Sequence, residues 1–261
     1  MQLKRNLRKH IASYIRNNHI PWIDGLVQAV ALLYQWGILA PNADPNAEKV
    51  VSPKYQFILV CVPKVATRSI LETFVRNPAI SWEAHIDERH YARLLQQNQY
   101  RNYYKVAFVR NPWDRIVSCY RDKIVAPSTL VKMRYTNRYQ GIWPDMPFET
   151  FVEWLACTEE GSDSYANRHW ISQYKLLEDS HGNVTFDFLV HLENLEFELK
   201  SAFHQMGVPQ TTLPLKNSST SSRPQQPAVY NRYTYDLISQ RYARDIRLFG
   251  YERELSNSQL P

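Results

Sequence analysis

Apolar positions along the chain follow two rhythms. Residues 55–62 (YQFILVCV) and 103–109 (YYKVAFV) are short, nearly unbroken apolar runs rich in β-branched and aromatic residues. Such runs fit strands covered on both faces, as in a parallel sheet. Each leads through a polar turn into helical periodicity. The first turn is Pro63-Lys64-Val65-Ala66-Thr67-Arg68-Ser69, ahead of residues 70–75; the second is Arg110-Asn111-Pro112, ahead of residues 113–123. Asn111 suits an N-cap, and Pro112 suits the first helical position. Helical character returns over residues 87–99, between the two runs. Strand, helix, strand, helix at these lengths predicts a βαβ unit in an α/β fold with a central parallel sheet flanked by helices.

Further along, the pattern predicts a helix over 148–157 behind Pro147, a strand over 184–192 and a helix over 193–206 ending at Gly207. Residues 217–227 (NSSTSSRPQQP) have loop composition, and a helix over 235–249 stops at Gly250. The segment 125–146 is long and basic, with Lys132, Arg134 and Arg138 among aromatics. Long loops in compact domains often serve as lids or substrate loops. At the other end, Leu3, Leu7, Ile11 and Tyr14/Ile15 recur at helical spacing among basic residues. The turn-forming segment 41–48 (PNADPNAE) separates this region from the strands. The predicted layout is a helical extension over 1–50 and an α/β domain over 51–261.

Charge sharpens this picture. The chain has 261 residues and a formal net charge of +6, of which +5 lies in residues 1–23. The rest is close to neutral, so the body is not that of a nucleic-acid-binding protein. The basic amphipathic stretch over residues 1–20 fits either a helix docked on its own domain or a surface contact with acidic lipid. Residues 26–40 carry no charge, but Gln28, Gln35 and Gly37 interrupt them and they are too few to span a bilayer. Cys61, Cys119 and Cys157 are too few for a disulfide framework and have no zinc-ligand spacing. Only seven glycines occur, and neither GxxxxGK[ST] nor GxGxxG is present.

The chemistry concentrates in the two turns. In open α/β sheets ligands sit beyond the carboxyl ends of the strands. The first turn offers backbone N–H groups at a helix start together with Lys64, Thr67, Arg68 and Ser69, which suits a phosphate or sulfate group. In the second, Arg110 supplies a fork that matches an anion, and Ser118 stands two helical turns further on. Asp114, Arg115, Arg121 and Asp122 have spacings expected of a solvated charge lattice on that helix.

VPKVATRS and FVRNPWDRIVSCYRDK together resemble the carbohydrate sulfotransferase family, the branch with chondroitin- and HNK-1-type enzymes and bacterial members. His169-Trp170 with Gln173 is similar to a family HWxxQ element, and HLENLEFELKSAFHQMGV and YTYDLISQRYARDIRLFGY look like its later strand–helix and closing-helix segments. The resemblance covers about residues 55–251. It implies a P-loop-like three-layer fold and an O-sulfotransferase that uses 3′-phosphoadenosine-5′-phosphosulfate (PAPS) without a metal. The first turn, Lys64, Val65, Ala66, Thr67, Arg68 and Ser69, would hold the 5′-phosphosulfate; Arg110 and Ser118 would hold the 3′-phosphate. Arg68 departs from the Thr or Ser usual at that place, and Thr67 is the alternative hydroxyl.

The implied reaction moves a sulfuryl group in line onto a hydroxyl of a glycan or glycoconjugate. Lys64 would stabilise the leaving oxygen, and a histidine would act as base. The family's histidine lies early in the connection before the second strand. His85 fits that spacing better than His90. His169 could order the acceptor site or simply pack. Two other readings remain: a non-catalytic module binding a nucleotide or anionic glycan on the same fold, and a membrane- or RNA-binding protein working through its basic tail. With no convincing spanning segment and no long stem, the chain is expected to be cytoplasmic, with peripheral membrane contact through residues 1–20.

Overall fold

The computed structural model describes residues 48–67, 69–70, 100, 102–125, 135, 139–179, 181–209 and 230–252. Residues 1–47 of the extension expected over 1–50, the helix over 87–99 and the loop over 217–227 lie outside them.

Among the described residues, four strands form one sheet in the order β1 (Glu48–Ser52), β2 (Phe57–Cys61), β3 (Tyr104–Val109), β4 (Phe188–His191). β2, β3 and β4 are parallel, with Phe57 opposite Tyr104 and Val106 opposite Phe188. β1 runs antiparallel to β2, Glu48 opposite Cys61 and Ser52 opposite Phe57. The sheet is therefore mixed, which corrects the expectation of a purely parallel one. Only residues 53–56 join β1 to β2, and so short a link permits only antiparallel pairing. β1 was not expected at all. EKVVS is short and half polar, yet Val50 and Val51 are fully buried and Lys49 is almost so. The strand begins before the expected domain boundary at residue 51.

The apolar runs became β2 and β3 for the predicted reason. All five residues of β2 are buried, as are the last four of β3. The parallel pairing of β2 with β3 requires a crossover connection between them. α1 (Pro112–Lys123) follows β3 and starts as its sequence dictates: the Asn111 side chain accepts from the N–H groups of Trp113 and Asp114, with Pro112 at the first position. Trp113 stacks on Tyr235 at 4.7 Å and an interplanar angle of 4°, so its ring belongs to the core.

α2 (Phe148–Cys157) lies where predicted. A short α3 (Gln173–Leu177) was not expected. β4 is shorter than the run 184–192, and behind it a 3-10 turn (Leu192–Asn194) leads into α4 (Leu195–Gln205). The predicted helix over 235–249 is two helices, α5 (Arg232–Arg241) and α6 (Ala243–Leu248), broken at Tyr242. At the break Tyr242 is buried and its hydroxyl donates to the Trp170 carbonyl. Trp170 is itself fully buried and is met edge-on by Tyr135, Tyr139, Phe151 and Trp154.

One turn past the break, the wholly buried Asp245 carboxylate accepts from the N–H groups of Gln173 (2.7 Å) and Tyr174 (2.9 Å), capping α3. Burial pushes this carboxyl up, the two N–H groups oppose the shift, and the result is about 6. An unfolded aspartate titrates near 4. The folded state therefore holds this proton more tightly, and the stabilisation it confers is complete below about pH 4 and lost as pH rises through about 6. Unfolding free energy measured in denaturant across this window should fall in the wild type by roughly 2–3 kcal/mol more than in Asp245→Asn, whose side chain does not titrate.

Candidate active site

The first turn leaves the sheet at the end of β2. Lys64 (φ 81°) and Ala66 (φ 59°) are both left-handed, a conformation that costs an L residue about 1 kcal/mol or more. A helix then begins at Thr67, with the N–H groups of Ser69 (2.9 Å) and Ile70 (3.2 Å) on the Ala66 carbonyl. Two arginines from beyond β3 hold this strained turn. Arg115 Nε donates to the Pro63 carbonyl at 3.1 Å, and Arg110 Nη1 donates to the Lys64 carbonyl at 3.1 Å.

The second turn is held through its backbone. The Gln173 amide pairs with Arg110 twice: its Oε1 accepts from the Arg110 N–H at 3.0 Å and its Nε2 donates to the Arg110 carbonyl at 2.8 Å. Glu193 accepts from the Asn111 N–H (2.8 Å) and from the Tyr251 hydroxyl (3.0 Å). The Arg110 side chain is thereby aimed at the first turn. Its Nε is buried and finds no partner among the described residues. Burial pushes the guanidinium down from its ordinary value, against the pull of Asp114 and Glu193.

Arg115 overturns the charge-lattice expectation. It is 1% exposed, and its guanidinium donates to three carbonyls: Pro63, Ile171 (2.7 Å) and Arg168 (3.2 Å). It fastens the 168–171 segment to the first turn. Asp122 is not part of a lattice either. It accepts from Lys64 Nζ at 2.8 Å, across 58 residues of chain, and from Lys123 Nζ at 2.9 Å. Burial alone would raise the Asp122 carboxyl, but these two hydrogen bonds outweigh it and hold it at about 2. Ser118 is half-buried on α1, one helical turn before Asp122.

Arg110 and the Lys64 turn are thus joined at one end of the sheet, with Val65 buried beneath and Ser118 on the helix that follows. The Thr67 hydroxyl turns inward and donates to the Val62 carbonyl at 3.3 Å. Ser69 is half-buried at the helix start. Arg68, His85 and His90 lie outside the described residues. Sequence reasoning missed the supporting parts: Gln173, Glu193, Arg115 and the Lys64–Asp122 pair. Gln173 and Glu193 stood in recognisable motifs, but nothing local revealed that they clamp the Arg110 turn.

A model described as "Sulfotransferase family" matches residues 48–252. Carbohydrate sulfotransferase 14 of Mus musculus is 27% identical over 180 residues, 61% of this chain and 46% of the relative. Carbohydrate sulfotransferase 11 of Danio rerio is 26% identical over 239 residues, 77% of this chain and 66% of the relative. Carbohydrate sulfotransferase 14 of Homo sapiens is 26% identical over 178 residues. The chain thus spans about half to two thirds of the length of these relatives. No solved structure matches it. The expectation of a cytoplasmic enzyme is corrected by these matches. They are to carbohydrate sulfotransferases of vertebrates. Among the described residues no helix is long and apolar enough to cross a membrane.

Replacing Arg115 by leucine leaves three buried carbonyls without a donor. Arg115→Leu should lose at least about 3 kcal/mol of unfolding free energy in urea. Arg115→Lys should recover only part of it, because one ammonium cannot reproduce the three-way geometry.

Proposed function

The chain belongs to the sulfotransferase family, and on that premise we propose that it is a PAPS-dependent enzyme. It would move a sulfuryl group from the donor to a hydroxyl of a glycan or glycoconjugate, on a P-loop-like three-layer fold. The observation that carries this reading is the buried, unpartnered Nε of Arg110, on a side chain bonded directly to the carbonyl of Lys64. A buried guanidinium nitrogen without an acceptor suits an anion. Here it lies at the junction of two turns that both present positive charge. Carbohydrate acceptors are named for the relatives, and the same class is proposed here.

The donor supplies an activated sulfuryl group in its phosphosulfate anhydride. Arg110 and Ser118 hold the 3′-phosphate, one by a charge-assisted fork and the other by a hydroxyl. The turn from Lys64 to Ser69 holds the 5′-phosphosulfate through its helix-start N–H groups and the charges of Lys64 and Arg68. Thr67 contributes by its N–H, since its hydroxyl donates to Val62.

Lys64 Nζ, kept at the site by Asp122 at 2.8 Å, turns to the bridging oxygen. There it stabilises the charge that develops as the sulfur–oxygen bond breaks, its electron pair remaining on the phosphate. His85, or His90 in its place, takes the proton as the acceptor oxygen bonds to sulfur. Asp122, itself bonded by Lys123, keeps Lys64 positioned between turnovers.

Calorimetric titration of the full chain with 3′-phosphoadenosine-5′-phosphate (PAP), with AMP as control, tests this reading. PAP should bind with micromolar affinity and AMP far more weakly. Arg110→Ala should weaken PAP about 20-fold or more and Ser118→Ala about 3- to 10-fold, since a charge-assisted pair outweighs a hydroxyl. Equal affinity for PAP and AMP, or unchanged affinity in both variants, would remove the 3′-phosphate assignment.

A further inference from the structure

His169 sits where nothing in the proposed reaction yet uses it. Its segment is fixed: Arg115 grips the carbonyls of Arg168 and Ile171, and the His169 N–H donates to Asn167 Oδ1 at 3.1 Å. The imidazole meets the Tyr135 ring edge-on, centroids 5.8 Å apart, and Lys123 Nζ lies 5.0 Å from the centre of that same ring. Lys123 and Lys64 share the Asp122 carboxylate. Lys123, Arg168 and Lys64 thus act electrostatically on the ring, with Asp122 as counter-charge, and the neighbourhood carries more positive charge than negative. Burial first, then these three cations, drive the imidazole down to about 2, with Asp122 opposing. It is neutral at working pH, and burial beside these cations disfavours its protonated form too strongly for it to take a proton as the base. Its Nδ1 is buried and has no partner among the described residues. Buried polar atoms in native proteins are nearly always paired, so this one calls for an acceptor that arrives with a ligand.

We propose that His169 is a further donor-contacting residue, its neutral imidazole donating from Nδ1–H to an oxygen of the sulfuryl group beside Lys64. The inference rests on the PAPS reading above. Lys64 links the two ends of the site: its carbonyl takes Arg110, and its Nζ takes Asp122, which also holds the Lys123 that lies over the Tyr135 ring met by His169. The end next to Nζ is where the transferred group lies. A neutral donor there adds a hydrogen bond without adding charge, and it remains a donor while the hydroxyl proton goes to the base and the sulfur–oxygen bond to phosphate breaks.

PAP lacks the sulfuryl group and PAPS carries it, so the two ligands isolate the contact without any acceptor. Titrating the full chain with each should give one PAP affinity for wild type, His169→Phe and His169→Asn. PAPS should bind His169→Phe about tenfold more weakly, and His169→Asn within about threefold of wild type because its amide reaches the Nδ1 position. Equal weakening of PAP and PAPS would reduce His169 to a packing residue, and no change in either would remove the contact. Either result overturns the proposal. A wild-type chain that binds no PAP overturns the donor reading itself, and this inference with it.

Discussion

A single buried cation organises this end of the molecule. The Arg115 guanidinium is shut away from water and donates to the carbonyls of Pro63, Arg168 and Ile171. Burying a charge is costly, and burial indeed pushes Arg115 down from its ordinary value. Three charge-assisted hydrogen bonds offset that cost, helped by Asp245 and Asp163 nearby. The consequence is geometric. The turn after β2, the first half of α1 and the segment before α3 are held as one piece. Without that grip the left-handed Lys64 and Ala66 would have little to keep them in a conformation their side chains disfavour.

Around this cation, several polar side chains on distant segments grip backbone. Gln173 takes both backbone groups of Arg110, Glu193 takes the Asn111 N–H, and Asp245 takes the first two N–H groups of α3. Each contact spans 60 residues or more of chain. Motifs scattered from residue 63 to residue 251 therefore converge at one end of the sheet. Among these side chains, Lys64 beside its Asp122 partner and the buried, unpartnered Nε of Arg110 are the ones suited to an anionic ligand.

What the sequence made legible was local. β2 and β3 show as apolar runs because both faces are covered, and the start of α1 shows because Asn111-Pro112 is cap chemistry. β1 was hidden because three of its five residues, Glu48, Lys49 and Ser52, are polar and its burial depends on β2. β4 came out shorter than its apolar run, since Asp187 uses its carboxylate, at 2.6 Å, to take the Lys105 N–H just where the strand would extend. The break between α5 and α6 was invisible because Tyr242 and Asp245 answer to Trp170 and α3, not to their own helix. Arg115 has the same i, i+4 spacing whether it lies in water or in the core, so pattern alone read it as surface. Left-handed backbone at a lysine and an alanine carries no sequence signal at all.

The central claim is that the two turns form one donor site, with Arg110 at its 3′-phosphate end and Lys64 at its phosphosulfate end. A crystal structure of the full chain grown with PAP tests it most directly. The account predicts Arg110 Nε and the Ser118 hydroxyl on the 3′-phosphate, with Lys64 Nζ turned from Asp122 towards the 5′-phosphate. PAP bound elsewhere, or bound with Lys64 still paired to Asp122 and Arg110 Nε still without an acceptor, would contradict it.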